Sequence, residues 1–164
     1  MRVVGTYCRA RQEDLAPGAE YWPVDMADRG AVRSFLADLA PGLKRPVLVY
    51  TPGISPNNLA HKFEDAEWDR ALEINLTGAF LACKGLLPRM REIGYGRIVL
   101  ISSILARQGV PGTVAYSATK AGLGAMARVI AAENARKGIT ANTLALGYHD
   151  IGIIKAVPEP FLRE

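Results

Sequence analysis

The chain is poor in the residues that tie a fold together covalently or through a metal. It has two cysteines, Cys8 and Cys83, in 164 residues, which make neither a disulfide framework nor a metal-ligand spacing. Cys83 falls among apolar residues in a helical stretch and reads as packing. The two histidines, His61 and His149, lie far apart without Cys or carboxylate neighbours at ligand spacing, so no metal site is expected. No apolar run approaches the ~18 residues needed to cross a bilayer, and neither a fixed-period repeat nor a low-complexity segment is found. The start lacks the long apolar segment and small-residue cleavage site of a signal peptide, so the default reading is no membrane and a cytoplasmic location. Charge of one sign is not concentrated either. The formal net charge is +4, but Arg and Lys are spread along the chain rather than gathered with aromatics, which argues against nucleic acid.

What is present is enough for one buried core. Hydrophobic residues make up 49% of the sequence, and residues 1–164 are read as a single globular domain. Arg2 to Tyr7 is rich in Val and Thr, as a strand should be, and a second short strand is expected near Glu20 to Val24. Asp28 can cap a helix whose apolar positions Val32, Phe35, Leu36 and Leu39 recur at helical spacing, with Pro41-Gly42 as its stop. Val47 to Tyr50 is a brief uninterrupted apolar run, the pattern of a central parallel strand covered on both faces. A Pro/Asn-rich loop leads to a long helix from near Asp65, with Trp68, Leu72, Leu76, Phe80 and Leu87 as its expected buried stripe and Pro88 expected to bend or end it. Arg97 to Ser102 reads as a strand, Val114 to Lys137 as a helix stopped by Gly138, and Ile139 to Leu144 as the next strand.

The chemistry is concentrated in three residues. Ser103 ends a strand, Tyr116 follows thirteen residues later, and Lys120 four further on returns to the helix face that carries Tyr116. A free phenol has a pKa near 10, so drawing it toward neutrality means lowering it by roughly 3 pH units, about 4 kcal/mol. One ammonium at about 4 Å supplies roughly that at an effective dielectric near 20. Ser103 can then hydrogen-bond a carbonyl oxygen as charge develops on it. Asn75, an amide within an apolar helix, needs partners, since an unpaired buried amide costs on the order of 1 to 3 kcal/mol.

Val47-Leu-Val-Tyr-Thr-Pro-Gly-Ile54, Asn75 within Glu-Ile-Asn-Leu-Thr-Gly, Ile101-Ser-Ser103, Tyr116-Ser-Ala-Thr-Lys120-Ala-Gly and Gly138-Ile-Thr-Ala-Asn-Thr-Leu-Ala-Leu-Gly147 follow in one order. In that order and spacing the whole chain resembles the short-chain dehydrogenase/reductase family, most nearly its 3-oxoacyl-(acyl-carrier-protein) reductase-like members. The resemblance implies a Rossmann-like α/β fold, a doubly wound parallel sheet in three layers. It implies a catalytic tetrad of Asn75, Ser103, Tyr116 and Lys120, with Tyr116 as general acid and Lys120 lowering its pKa and binding the nicotinamide ribose. Asn75 would open its helix and anchor a water leading to Lys120; the alternative is a satisfied core amide without chemistry. Cofactor contacts are expected at Arg9, Asp25, Met26, Gly53, Tyr116 and Lys120, with Asp25-Met26 meeting adenine. Arg9 and Arg11 stand where NAD users carry an acid, which favours NADP(H) over NAD(H), although a solvated Arg is the alternative.

The sequence departs from the family pattern in several places. No clustered glycines follow a strand before Gly53, so the phosphate cradle is absent. The usual Asn-Asn-Ala-Gly is Tyr50-Thr51-Pro52-Gly53, the usual Pro-Gly is Leu146-Gly147, and a Thr that commonly bonds the nicotinamide carboxamide is Ile151. The family runs to roughly 250 residues, so the fold is expected to be incomplete at both ends, lacking the first strand, glycine turn and helix, and the last lid, helix and strand. Without a first strand, two apolar parallel edges would face a gap. An upstream start or a cut domain is the expected cause, ahead of a closed-up sheet or a borrowed partner.

The leading expectation is an NADP(H)-dependent reductase of a small-molecule or carrier-bound ketone such as a 3-oxoacyl thioester. The alternative is a non-catalytic dimerising remnant that serves as an interaction or assembly module. Ala118, Ala121, Gly122, Gly124 and Ala125 make one helix smooth, and by resemblance the helices 65–92 and 114–137 are expected to build a homodimer or homotetramer. Packing on the chain's own sheet is the other explanation for that smoothness.

Overall fold

A computed structural model describes residues 2–8 and 17–147. Strand β1 (Val4–Tyr7) pairs in parallel with β2 (Glu20–Pro23). Helix α1 (Arg29–Leu39) follows, capped by Asp28, whose carboxylate accepts from the Gly30 and Ala31 amides. A short 3-10 turn at Ala40–Gly42 closes it at the expected Pro-Gly. Strand β3 (Val47–Tyr50) leads through the loop to helix α2 (Asp65–Leu72), a single π turn (Glu73–Thr77) and helix α3 (Gly78–Ile93). Strand β4 (Gly96–Ser103), helix α4 (Val114–Asn134) and strand β5 (Ile139–Leu146) complete the order.

Among the described residues the parallel strands form two sheets, β1-β2 and β3-β4-β5. The two sheets are thus not joined by direct strand pairing among the described residues, although two apolar edges facing a gap would be expected to close or be filled. Strand β3 is an edge, not the central, doubly covered strand its apolar run suggested. Its alternation explains the difference: Leu48 and Tyr50 join the core, while Val47 and Val49 are 57% and 53% exposed. Register carries the open face across the sheet, from Val47 and Val49 through Arg97 and Val99 to Thr140 and Asn142, with Ile101 and Leu144 completing it. On the other face Ile98, Leu100, Ile139 and Ala141 pack with Leu36, Leu86, Met90, Leu123, Ala127 and Ile130 from α1, α3 and α4. The fold is an incomplete α/β Rossmann type, with parallel sheets flanked by helices on the face described.

Two helix expectations change. Pro88 lies inside α3, which runs on to Ile93; Lys84, four residues before it, is exposed, so the carbonyl that proline leaves unpaired can face water. Of the expected stripe of Trp68, Leu72, Leu76, Phe80 and Leu87, Leu76 and Leu87 pack at the margin of the core, and none of the five is fully buried. Ala71, Ile74, Asn75, Gly78, Ala79, Ala82, Cys83, Leu86 and Met90 are buried instead, and Phe80 is 48% exposed. The π turn inserts one residue and rotates the face by about 100°. Cys83 is core packing as expected, and burial pushes its thiol up to about 12. No helix among the described residues is long and apolar enough to cross a membrane.

Gly138 ends the α4 segment in the left-handed region, φ 67°, and a Cβ there would collide with the carbonyl oxygen of Gly94. Gly138→Ala is expected to lower the unfolding free energy by about 1 to 3 kcal/mol, measured by urea denaturation. Gly42→Ala, where no atom stands within 4 Å of the added carbon, is expected to change it little.

Candidate active site

The site lies where the C-terminal ends of β3 and β4 meet the start of α4. Ser103 is the last residue of β4 and is buried; its hydroxyl accepts from the Leu105 amide at 3.2 Å and lies near enough to the Tyr116 phenol to act on its pKa. Tyr116 and Lys120 sit one turn apart on α4, and the Lys120 ammonium lies 5.5 Å from the centroid of the Tyr116 ring. The ammonium is buried and donates to the Ile101 carbonyl at 2.7 Å. From behind, the Ser102 hydroxyl donates to the Lys120 carbonyl at 2.8 Å and ties α4 to β4.

Asn75 is fully buried within the π turn, so the helix does open at this residue. Its oxygen accepts from the Ile54 amide at 2.8 Å, and its nitrogen donates to the Ile54 carbonyl at 2.9 Å and to the Thr119 hydroxyl at 3.1 Å. Thr119 in turn donates to the Tyr116 carbonyl at 2.8 Å. Through these bonds the amide bridges the β3 loop to α4. A Cβ on Gly53 would stand 3.3 Å from the Lys120 nitrogen and 3.6 Å from the Asn75 oxygen, so only a bare backbone passes there without crowding the amine.

Electrostatics differ from the simple expectation for the phenol. Burial pushes Tyr116 above its ordinary pKa, offset in part by the nearby Ser103 hydroxyl. Burial also pulls Lys120 down to about 8. The amine is thus near its own titration at neutral pH, and desolvation outweighs any lowering of the phenol by its cation.

The structure brings together Asn75, Ser103, Tyr116, Lys120 and Gly53. Asp25 and Met26 follow β2; Asp25 is exposed and accepts from the Ala27 amide at 2.9 Å, and the Met26 carbonyl stands 3.3 Å from where a Cβ on Gly78 would lie. Arg9, Arg11, Tyr148, His149 and Ile151 lie outside the described residues. Sequence reasoning missed Thr119, Ser102 and the Ile54 backbone. A Thr buried inside a helix and beside Lys120 was the available signal, because such a hydroxyl needs a partner.

A parallel α/β sheet with a Ser, Tyr and Lys converging at its C-terminal edge is a Rossmann-type domain with its candidate site at the strand ends. The short chain dehydrogenase family model matches residues 6–159. An acetoacetyl-CoA reductase of Rhizobium meliloti (strain 1021) is 41% identical over 128 residues, 78% of this chain and 52% of the relative. A 3-oxoacyl-[acyl-carrier-protein] reductase of Rickettsia conorii is 36% identical over 124 residues, 76% of this chain and 50% of the relative. Among solved structures, a short-chain dehydrogenase from Streptomyces avermitilis superposes with a TM-score of 0.80 at 30% identity, covering 88% of this chain and 55% of that one. A gluconate 5-dehydrogenase from Burkholderia cenocepacia J2315, in complex with NADP and tartrate, superposes with a TM-score of 0.80 at 27% identity, covering 87% and 57%. The chain belongs to the short-chain dehydrogenase family. It spans about half the length of the curated relatives it matches.

A lysine whose folded pKa is depressed binds fewer protons than the unfolded chain between pH 8 and 10.5, so stability from this group rises with pH across that window. Lys120→Met is expected to flatten the rise, whose size is at most on the order of 3 kcal/mol, in urea denaturation followed from pH 7.5 to 10. A raised phenol at Tyr116 gives the opposite slope only above pH 10.

Proposed function

We propose that this chain carries the catalytic half of an NADP(H)-dependent reductase that converts a ketone, of the 3-oxoacyl thioester class, to the hydroxy compound. One observation carries the reading: the Ser103 hydroxyl at the end of β4 faces the half-buried Tyr116 phenol, with the buried ammonium of Lys120 5.5 Å from that ring. A raised phenol pKa suits a proton donor, because Tyr116 stays protonated at neutral pH until an alkoxide forms next to it. Ser103 would orient the carbonyl oxygen and hold charge developing there. Lys120, still largely protonated at pH 7, would stabilise the phenolate left behind and reach the ribose hydroxyls past Gly53.

The residues present fit the ribose and nicotinamide end of the cofactor: the bare backbone at Gly53 leaves room beside Lys120, and Asp25 is exposed at the end of β2. The bound nicotinamide would supply the hydride. Gly53, Asp25, Met26 and Arg9 would hold its adenosine side, and this sequence has no clustered glycines to cradle the diphosphate. The choice of NADP rests on the arginines at 9 and 11 and on the NADP held by the gluconate 5-dehydrogenase that superposes on this chain. The thioester class rests on the names of the acetoacetyl-CoA and 3-oxoacyl reductase relatives. A cytoplasmic setting suits such a substrate.

Self-association through α2, α3 and α4 is part of the proposal. Gly122 packs against Leu76 within the chain, but Ala121, Ala125, Val129 and Phe80 remain exposed or half-buried. The rival reading, a non-catalytic dimerising module, draws on the lack of clustered glycines for a phosphate cradle and on Ile151.

NADPH titrated against the chain, followed by its fluorescence, is expected to bind saturably and to be oxidised when acetoacetyl-CoA is added. Tyr116→Phe is expected to lower kcat by about 10²- to 10⁴-fold with KM little changed. Absence of NADPH binding at millimolar concentration would favour the non-catalytic module.

A further inference from the structure

We propose that Tyr50 is a positioning residue of the candidate site: its phenol holds the helix in the wide turn that aims Asn75 at Ile54 and Thr119. The hydrogen-bond geometry is independent of any activity; its consequence for turnover rests on the proposed reductase function.

The hydrogen bonds identify the role. The Gly78 amide reaches back five residues to the Glu73 carbonyl, the π-helical bond. In an ordinary α-helix that amide would meet the Ile74 carbonyl, four residues back. Here the Ile74 carbonyl accepts from the buried Tyr50 hydroxyl at 2.6 Å. Strand β3 thus supplies a donor where the helix has withdrawn its own. Without it, the carbonyl of a buried residue would lose its partner, and the turn would be drawn back toward α register. A one-residue change of register turns side chains by about 100°, which would swing Asn75 off Ile54 and Thr119.

Three neighbours support the same arrangement. A Cβ at Gly78 would run into the Tyr50 hydroxyl, so glycine leaves the phenol its place. The Met26 carbonyl lies 3.3 Å from that same point, which puts the turn after β2 against the hinge. Glu73, the first residue of the wide turn, is held by a bidentate pair with Arg29 at 2.8 and 2.5 Å. Burial keeps the Tyr50 phenol far above its ordinary pKa, so it remains a donor wherever the chain is folded. Tyrosine stands here in the Tyr50-Thr51-Pro52-Gly53 segment that departs from the family's amides. The departure supplies a support from within the core.

The test reads Lys120, which touches neither Tyr50 nor Ile74 in any hydrogen bond described. In the chain labelled with ¹⁵N-lysine, the Lys120 amine is expected to titrate near 8. With Tyr50→Phe, Asn75 releases Ile54, the Gly53–Ile54 backbone loosens, and water reaches the ammonium. The titration is then expected to move up by about one pH unit, a tenfold change in proton affinity. Gly78→Ala, which displaces the same hydroxyl from the other side, is expected to shift it likewise, and the double variant no further than either. Where turnover is present, kcat should fall in both with KM nearly constant. A Lys120 titration unchanged in folded Tyr50→Phe, with only a lower melting temperature, would overturn the proposal. Loss of the fold in both variants would overturn it too, by assigning the hydroxyl to the core as a whole. A wild-type chain without reductase activity would remove the proposed function and leave this titration decisive for Tyr50.

Discussion

An amide inside an apolar helix is the constraint on which the rest of the site depends. Asn75 is wholly buried and makes its hydrogen bonds to three atoms on two other segments, the Ile54 amide and carbonyl and the Thr119 hydroxyl. Each bond lost would leave a buried polar group costing about 1 to 3 kcal/mol, so the loop after β3, the wide turn and α4 are coupled. Gly53 is then fixed beside the Lys120 amine, and the amine is desolvated enough to titrate near 8. The helix can open at residue 75 because β3 sends the Tyr50 hydroxyl to the Ile74 carbonyl. Local sequence, a wide helical turn and the electrostatics of a lysine form one chain of causes.

Much of the fold was legible because its signals are local. Asp28 before a 3.6-periodic apolar set, and Gly138 after a long smooth one, are both where the structure starts and stops helices. The strands fall within a residue or two of their apolar runs. Strand β3 was placed correctly but given the wrong surroundings, since four apolar residues look the same at an edge as at a centre. Only pairing decides that, and pairing is not local. The stripe through Phe80 failed for a different reason: a period of 3.6 was carried across a turn that inserts one residue, which leaves Phe80 exposed while Leu76 and Leu87 stay at the core's margin.

The candidate site was legible in its reacting groups and opaque in its supports. Ser103, Tyr116 and Lys120 have spacings that a strand followed by a helix converts into proximity, and the structure brings them to one edge of the sheet. The direction of the Tyr116 shift was not legible, because a Coulomb estimate from spacing omits desolvation, which here exceeds it. Thr119, Ser102 and Tyr50 act through backbone carbonyls of residues 3 to 24 positions away. A backbone acceptor has no signature in side-chain identity, so such supports emerge only with coordinates.

Hydrogen exchange at the Ile54 amide tests the central coupling most directly. That amide lies outside every strand and helix, and its partner here is the Asn75 oxygen. Exchange as slow as that of the β4 amides, becoming fast in Asn75→Ala while β4 stays protected, is the expected result. An Ile54 amide that exchanges freely in the unaltered chain would contradict the account.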